Sequence, residues 1–231
     1  MGELILCSHP IAAMPYYIDN ISLNVYSLEE LCYYIENHLY LIEADFMSEE
    51  LCLWIGQELD EKDLAQSLRS VLLGNGSLSD FTELILRSCG YCSEDTIRHI
   101  RSVLLDMQNK SVFECSKIRA DRYMESEKYV KAIHEYRKLL GMEEECKKNP
   151  VLEGNIRHNL GTACAELFLF DEAAANFLNA YRLNRNRESL AACMAACRLA
   201  KKTDILKKYK EEFHVSDEAF KSMSDQWNSV L

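Results

Sequence analysis

The chain has 231 residues, 48% of them apolar, with a formal charge of −11, three prolines, eight glycines and ten cysteines. That length suits one large domain or two small ones with ample material for a packed core, and so little Pro and Gly argues for long helices and against an all-β fold. No apolar run reaches the roughly 18 residues that span a bilayer, and Met1–Pro15 carries Glu3 as its sole charge, unlike the basic start of a secretory signal, so a cytoplasmic protein is expected.

Leu4-Ile5-Leu6 is a short apolar run, and Pro10 and Pro15 break the chain after it. Tyr16–Ile18 and Ile21–Val25 flank Asp19-Asn20, so residues 4–25 read as a short hairpin or an extended arm, although a tight turn more usually has Gly after the Asn or Asp. Ser27-Leu-Glu-Glu30 spells a capping box. It opens a helix to about Tyr40, with Leu31, Tyr34, Ile35 and His38 as its stripe. Ser48 caps a short helix through Leu51 and Trp54-Ile55. Asp60 starts a third, with Leu64, Leu68, Val71 and Leu72 inward and a stop at Gly74-Asn75-Gly76. Ser79 or Asp80 begins a fourth, through Phe81, Leu84 and Ile85 to Cys89-Gly90, and Ser93 opens a fifth along Ile97, Ile100, Val103 and Leu104.

Asn109-Lys110-Ser111 is the boundary between an acidic helical domain, residues 1–110, and a second domain, residues 111–231. The first carries 18 acidic and 6 basic side chains, the second 19 and 20. Such asymmetry implies two jobs, and an acidic half repels nucleic acid and membrane surfaces, so neither is an expected partner.

The second domain repeats. Leu160-Gly161 is followed by Ala173 twelve residues after the Gly, then by Phe177 and Ala180. Ala120, Tyr123, Tyr129, Ala132 and Tyr136 take the same relative places one unit earlier. Small residues let two helices cross closely, while large apolar ones fill the space beside them. The pattern resembles the tetratricopeptide repeat (TPR), a 34-residue pair of antiparallel helices, over about residues 113–213. The resemblance implies an all-α stack in which each pair buries its apolar face against the next. Departures are Ser116 and Arg157 where a large residue is usual, and Glu144 and Arg185 where the helix-ending Pro would stand. Ala132 to Ala173 spans 41 residues, an excess of seven expected within Met142–Asn155, where Asn149-Pro150 breaks the chain. A degenerate third unit keeps Ala191, Met194, Ala195 and Arg198, but has Lys207 at the small-residue place. An amphipathic helix over Thr203–Phe213 and a capping helix over Ser216–Trp227 (Phe220, Met223, Trp227) close the array.

The resemblance implies binding of a protein or peptide in a concave groove lined by the first helices. Carried over, its positions are Glu114, Lys117, Asp121, Met124 and Glu125 in the first unit, and Asn155, His158, Thr162, Ala165 and Glu166 in the second, with Asn159 beside them. Lys117 and Asn159 stand at places of the family's carboxylate clamp, but Asp121 would repel a ligand carboxylate, and Ala192 and Cys193 stand where a cation is wanted. The expected groove is therefore mixed and polar, suited to a helix or extended segment, and the protein a non-enzymatic adaptor without a cofactor.

Cys89-Gly-Tyr-Cys92 is the one catalytic-looking string. A redox pair needs a strand before it, whereas a helix is expected there. Zinc would need two further ligands, for which Cys7-Ser-His9 is the candidate pair. No phosphate loop, His-Glu-x-x-His pair or nucleophile elbow is present, and the remaining cysteines, among them Cys32, Cys164 and Cys193, read as small apolar fillers. Two rivals to the adaptor remain: a redox or metal role for Cys89 and Cys92, and a self-assembling subunit whose groove takes its own Leu4–Ile18 arm. The identity of the partner and the oligomeric state stay open.

Overall fold

Serine caps open five of the twelve α-helices among the described residues, and left-handed residues follow many of their ends. A computed structural model describes residues 9–216 together with 218 and 220. It divides between Lys110 and Ser111 into two units. The fold is all-α apart from one small hairpin.

In the first unit β1 (Tyr16–Ile18) and β2 (Leu23–Val25) pair antiparallel, Tyr16 opposite Val25 and Ile18 opposite Leu23. The hairpin turns without glycine because Ser22 takes the left-handed conformation, φ 55°. The Asn20 amide then donates to the Tyr34 hydroxyl and to the Leu41 carbonyl, both at 2.7 Å, which pins the turn to the helix beyond. In the described part of the arm, Ala12 N–H donates to Tyr26 C=O, and the Trp54 indole donates to Met14 C=O, so this stretch lies against its own unit. Cys7 and the Leu4–Leu6 run lie outside the described residues.

The helices are α1 (Leu28–Asn37), α2 (Glu49–Gln57), α3 (Lys62–Leu73), α4 (Leu78–Cys89) and α5 (Glu94–Gln108). Ser27 Oγ accepts the Glu30 N–H at 3.2 Å, while the Glu30 carboxylate reaches back to the Tyr26 N–H at 2.7 Å. Two 3-10 turns, Leu39–Leu41 and Ala44–Phe46, follow α1 where the stripe predicts helix to Tyr40. Two starts differ from the sequence reading. Asp60 belongs to the turn that ends α2, at φ 56°, so α3 begins at Lys62. Ser77, rather than Ser79 or Asp80, caps α4, because only that choice puts Asp80 where its carboxylate can close a capping box. Val71, Leu72 and Val103 are half-buried rather than inward. The core is Leu28, Leu31 and Ile35 of α1 against Ile85 and Phe81 of α4, with Leu51, Ile55, Leu68, Ile100 and Leu104 around them. Each such side chain contributes about 1.5–3 kcal/mol on leaving water.

The second unit runs α6 (Val112–Glu125), α7 (Tyr129–Gly141), α8 (Glu143–Lys148), α9 (Pro150–Glu166), α10 (Phe170–Asn184), α11 (Arg187–Leu199) and α12 (Thr203–Glu212). Ser111 and Glu114 form a complete capping box at its start. The break at Asn149-Pro150 is a helix start: Asn149 Oδ1 accepts the Leu152 N–H at 3.1 Å, and Pro150 takes the first helical position, where its missing N–H costs nothing. The short α8 occupies the place of the seven extra residues.

One turn joins each helix pair. Glu127, Phe168 and Lys201 are left-handed, at φ 58°, 60° and 58°. The next N–H in each case bonds five residues back, Lys128 to Tyr123, Leu169 to Cys164 and Lys202 to Cys197, at 2.8 to 2.9 Å. From the third turn, the small-residue place falls on Leu206 and not Lys207, since Phe168 to Lys201 is 33 residues. No residue of α12 is fully buried. Gly161 sits against the Phe177 ring, and Gly154 against Asn184. Of the closing helix, Phe220 lies 3.8 Å from the Lys210 ammonium, and Met223 and Trp227 fall outside the described residues. Among the described residues no helix is long and apolar enough to cross a membrane.

Candidate functional site

Two layers make the second unit. α7 packs on both α6 and α9, and α10 on both α9 and α11, which leaves α6, α9 and α11, the first helices of the three pairs, abreast in one layer. Side chains stitch that layer together. Asn159 of α9 donates to Asp121 Oδ1 of α6 at 3.3 Å, and His158 Nδ1 lies 3.0 Å from Ser189 Oγ of α11.

Asp121 is the hub. Lys117, one turn earlier on α6, places its ammonium 2.6 Å from Asp121 Oδ2. The Tyr136 hydroxyl donates to Asp121 Oδ1 at 2.7 Å, and Asn159 donates to both that carboxylate and the Tyr136 oxygen. Three donors thus compensate a half-buried carboxylate. Tyr136 is fully buried. Burial first, then the hydrogen bond and charge of Asp121, hold its phenol well above the usual range, so it remains a donor.

His158 is half-buried, with its ring 5.2 Å from that of Phe177. Burial holds its pKa below the ordinary value, so the neutral imidazole is the form that fits between α10 and α11. Thr162 donates back to the His158 carbonyl at 3.2 Å, and Asn155, though exposed, accepts from Asn184 at 3.1 Å. Met124 is half-buried near the end of α6, and Ala165 near the end of α9. Glu114 closes the cap on Ser111, Glu125 pairs with Arg122 at 2.6 Å, and Glu166 is exposed.

Of the residues carried over from the repeat positions, the structure brings Lys117, Asp121 and Asn159 into one network, ties His158, Thr162 and Asn155 to their neighbours, and leaves Glu166 facing water. Tyr136 and Ser189 complete these bonds. The sequence marks Tyr136 only as an aromatic filler, and the i,i+4 spacing of Lys117 and Asp121 was the one local clue. The Lys117 ammonium is already held by Asp121, which removes the cation a carboxylate clamp would use.

Cys89-Gly-Tyr-Cys92 is the joint between α4 and α5. Cys89 ends α4, Gly90 is the left-handed cap at φ 67°, and Ser93 caps α5. Burial pushes the Cys92 thiol up to about 11, the reverse of an activated redox thiol. Cys32, Cys164 and Cys193 are fully buried in helices. Comparison with protein-family models, with curated proteins and with solved structures finds no match.

Proposed function

We propose that the second unit is a TPR-like binding frame, and that the protein is a non-enzymatic adaptor that holds a segment of a partner polypeptide across the face of α6, α9 and α11. The observation that carries this reading is the lacing of the three first helices, Asp121 to Asn159 and His158 to Ser189. It fixes a rigid face three helices wide before any partner arrives, and a preformed face loses little freedom on binding. The interlocked Lys117, Asp121 and Asn159 keep this frame in shape. Recognition falls to exposed groups along the face: Glu125, Glu166 and Glu188. With the ammonium of Lys117 engaged by Asp121 and Glu125 shared with Arg122, it is Glu166 and Glu188 above all that favour a segment carrying basic side chains.

The test is affinity capture from the source cell's lysate with the intact protein and with a Glu125→Lys, Glu166→Lys variant whose helicity is unchanged. The reading expects a partner retained by the intact protein, lost by the variant, and released as salt is raised. Equal capture by both proteins would remove the face from consideration.

A further inference from the structure

His9, Glu29 and Cys89 are far apart in sequence and converge in the first unit. Glu29 lies on the first turn of α1, Cys89 ends α4, and His9 lies ahead of the hairpin. An imidazole nitrogen, a carboxylate oxygen and the thiol sulfur all lie within 4.8 Å of one another. Glu29 and Cys89 are buried, at 5% and 8% exposure, and the His9 side chain is 18% exposed. His9 Nδ1 is 2.9 Å from Glu29 Oε1, and the His9 backbone N–H donates to the same oxygen at 3.1 Å. Cys32, one turn beyond Glu29 on α1, turns its thiol to the Ile85 carbonyl of α4 instead, Sγ to O 3.8 Å.

We propose that His9, Glu29 and Cys89 bind a zinc ion. The chemistry of the set selects the metal. A thiolate and an imidazole disfavour calcium and magnesium, which take oxygen ligands, while N, O and S donors together suit tetrahedral zinc. Size agrees too. Bonds of about 2.0–2.3 Å at the tetrahedral angle set donors roughly 3.3–3.8 Å apart, so no side of the triangle closes by more than about 1.5 Å. The ion replaces the proton between His9 and Glu29. The Cys89 thiol proton and the His9 proton go to solvent, and the thiolate and carboxylate charges balance the divalent ion inside a buried site. Such a centre staples the segment before the hairpin to α1 and α4, adding to the His9–Glu29 hydrogen bonds already there. The Cys89-x-x-Cys92 spacing is incidental to it, since the partners of Cys89 come from α1 and from His9.

The full chain, reduced and freed of metal with a chelator, is titrated with cobalt(II) chloride and then with zinc chloride. One equivalent of cobalt should produce a thiolate-to-metal charge-transfer band with the intense visible bands of a tetrahedral ion, and zinc should abolish both. Cys89→Ser should remove the charge-transfer band, and His9→Gln should lower affinity at least tenfold, whereas Cys115→Ser should change neither. Because Cys89 is buried and its variant can unfold, the wild-type chain supplies a second readout: its thermal midpoint should rise with zinc and fall back with chelator. The proposal is overturned if no tetrahedral cobalt spectrum forms, if Cys89→Ser leaves spectrum and affinity unchanged, or if zinc does not move the midpoint.

Discussion

A Cβ built on Gly161 would stand 2.8 Å from the Phe177 ring, closer than real Cβ atoms approach. The α9–α10 crossing is therefore set by the absence of a side chain at one position. Gly161→Ala would gain about 1 kcal/mol of helix propensity, and overpacking against the ring costs about 1–3 kcal/mol. The net outcome is destabilisation, read as a lower urea midpoint at constant slope. In a Phe177→Leu background the ring is gone, and the same Ala should turn neutral or stabilising. Equal penalties in both backgrounds would mean that the crossing does not depend on this contact.

Glu127 and Lys201 hold left-handed turn positions that cost an L-residue about 1–2 kcal/mol. Gly at either place relieves that strain but adds freedom to the unfolded chain. Glu127→Gly and Lys201→Gly should each stabilise by about 0.5–1 kcal/mol, while Glu127→Val should destabilise, because a branched Cβ tolerates that conformation worst. Thermal melts of the three variants decide it.

These turns also show what was legible beforehand. Gly161, Ala173 and Phe177 were readable, because a close helix crossing demands small against large at a fixed interval. Caps at Ser27, Ser48 and Ser93 were readable because a serine hydroxyl before an apolar stripe has one economical use. The turns at Glu127, Phe168 and Lys201 were not, since an occupant other than Gly or Asn gives no local sign of positive φ. The Asp121 network was half legible. Lys117 and Asp121 share a helix and a register, but Tyr136 and Asn159 reach that carboxylate only after three helices have docked. His9, Glu29 and Cys89 were the least legible. Cys89 stands out in the sequence for its neighbour Cys92, while its contacts in space are residues on other segments.

Tyr136→Phe tests the network directly. It removes the hydroxyl that donates to Asp121 and accepts from Asn159, leaving the ring in its buried place. Loss of one partner from a half-buried carboxylate costs about 1–3 kcal/mol, so the variant should unfold at lower urea. Combined with Asp121→Asn, the second change should cost less than it does alone, since the two groups share one interaction. Simple additivity would refute the network.

His158 makes one part of the stability depend on pH. Burial between Phe177 and Ser189 holds its folded pKa below the roughly 6.5 of the unfolded chain. Below about 6.5 the unfolded state therefore binds the proton more readily than the folded one. The contribution from the neutral ring is fully present above that value, and it declines as pH falls toward the folded pKa. His158→Gln keeps an amide that can bond Ser189 and has no charge to gain. Thermal midpoints from about pH 7 to pH 5 should fall more steeply for the wild type than for His158→Gln. His9, whose hydrogen bond to Glu29 raises its pKa, pulls the other way, but it is common to both proteins and cancels in the comparison. Parallel curves would mean that His158 does not titrate against folding.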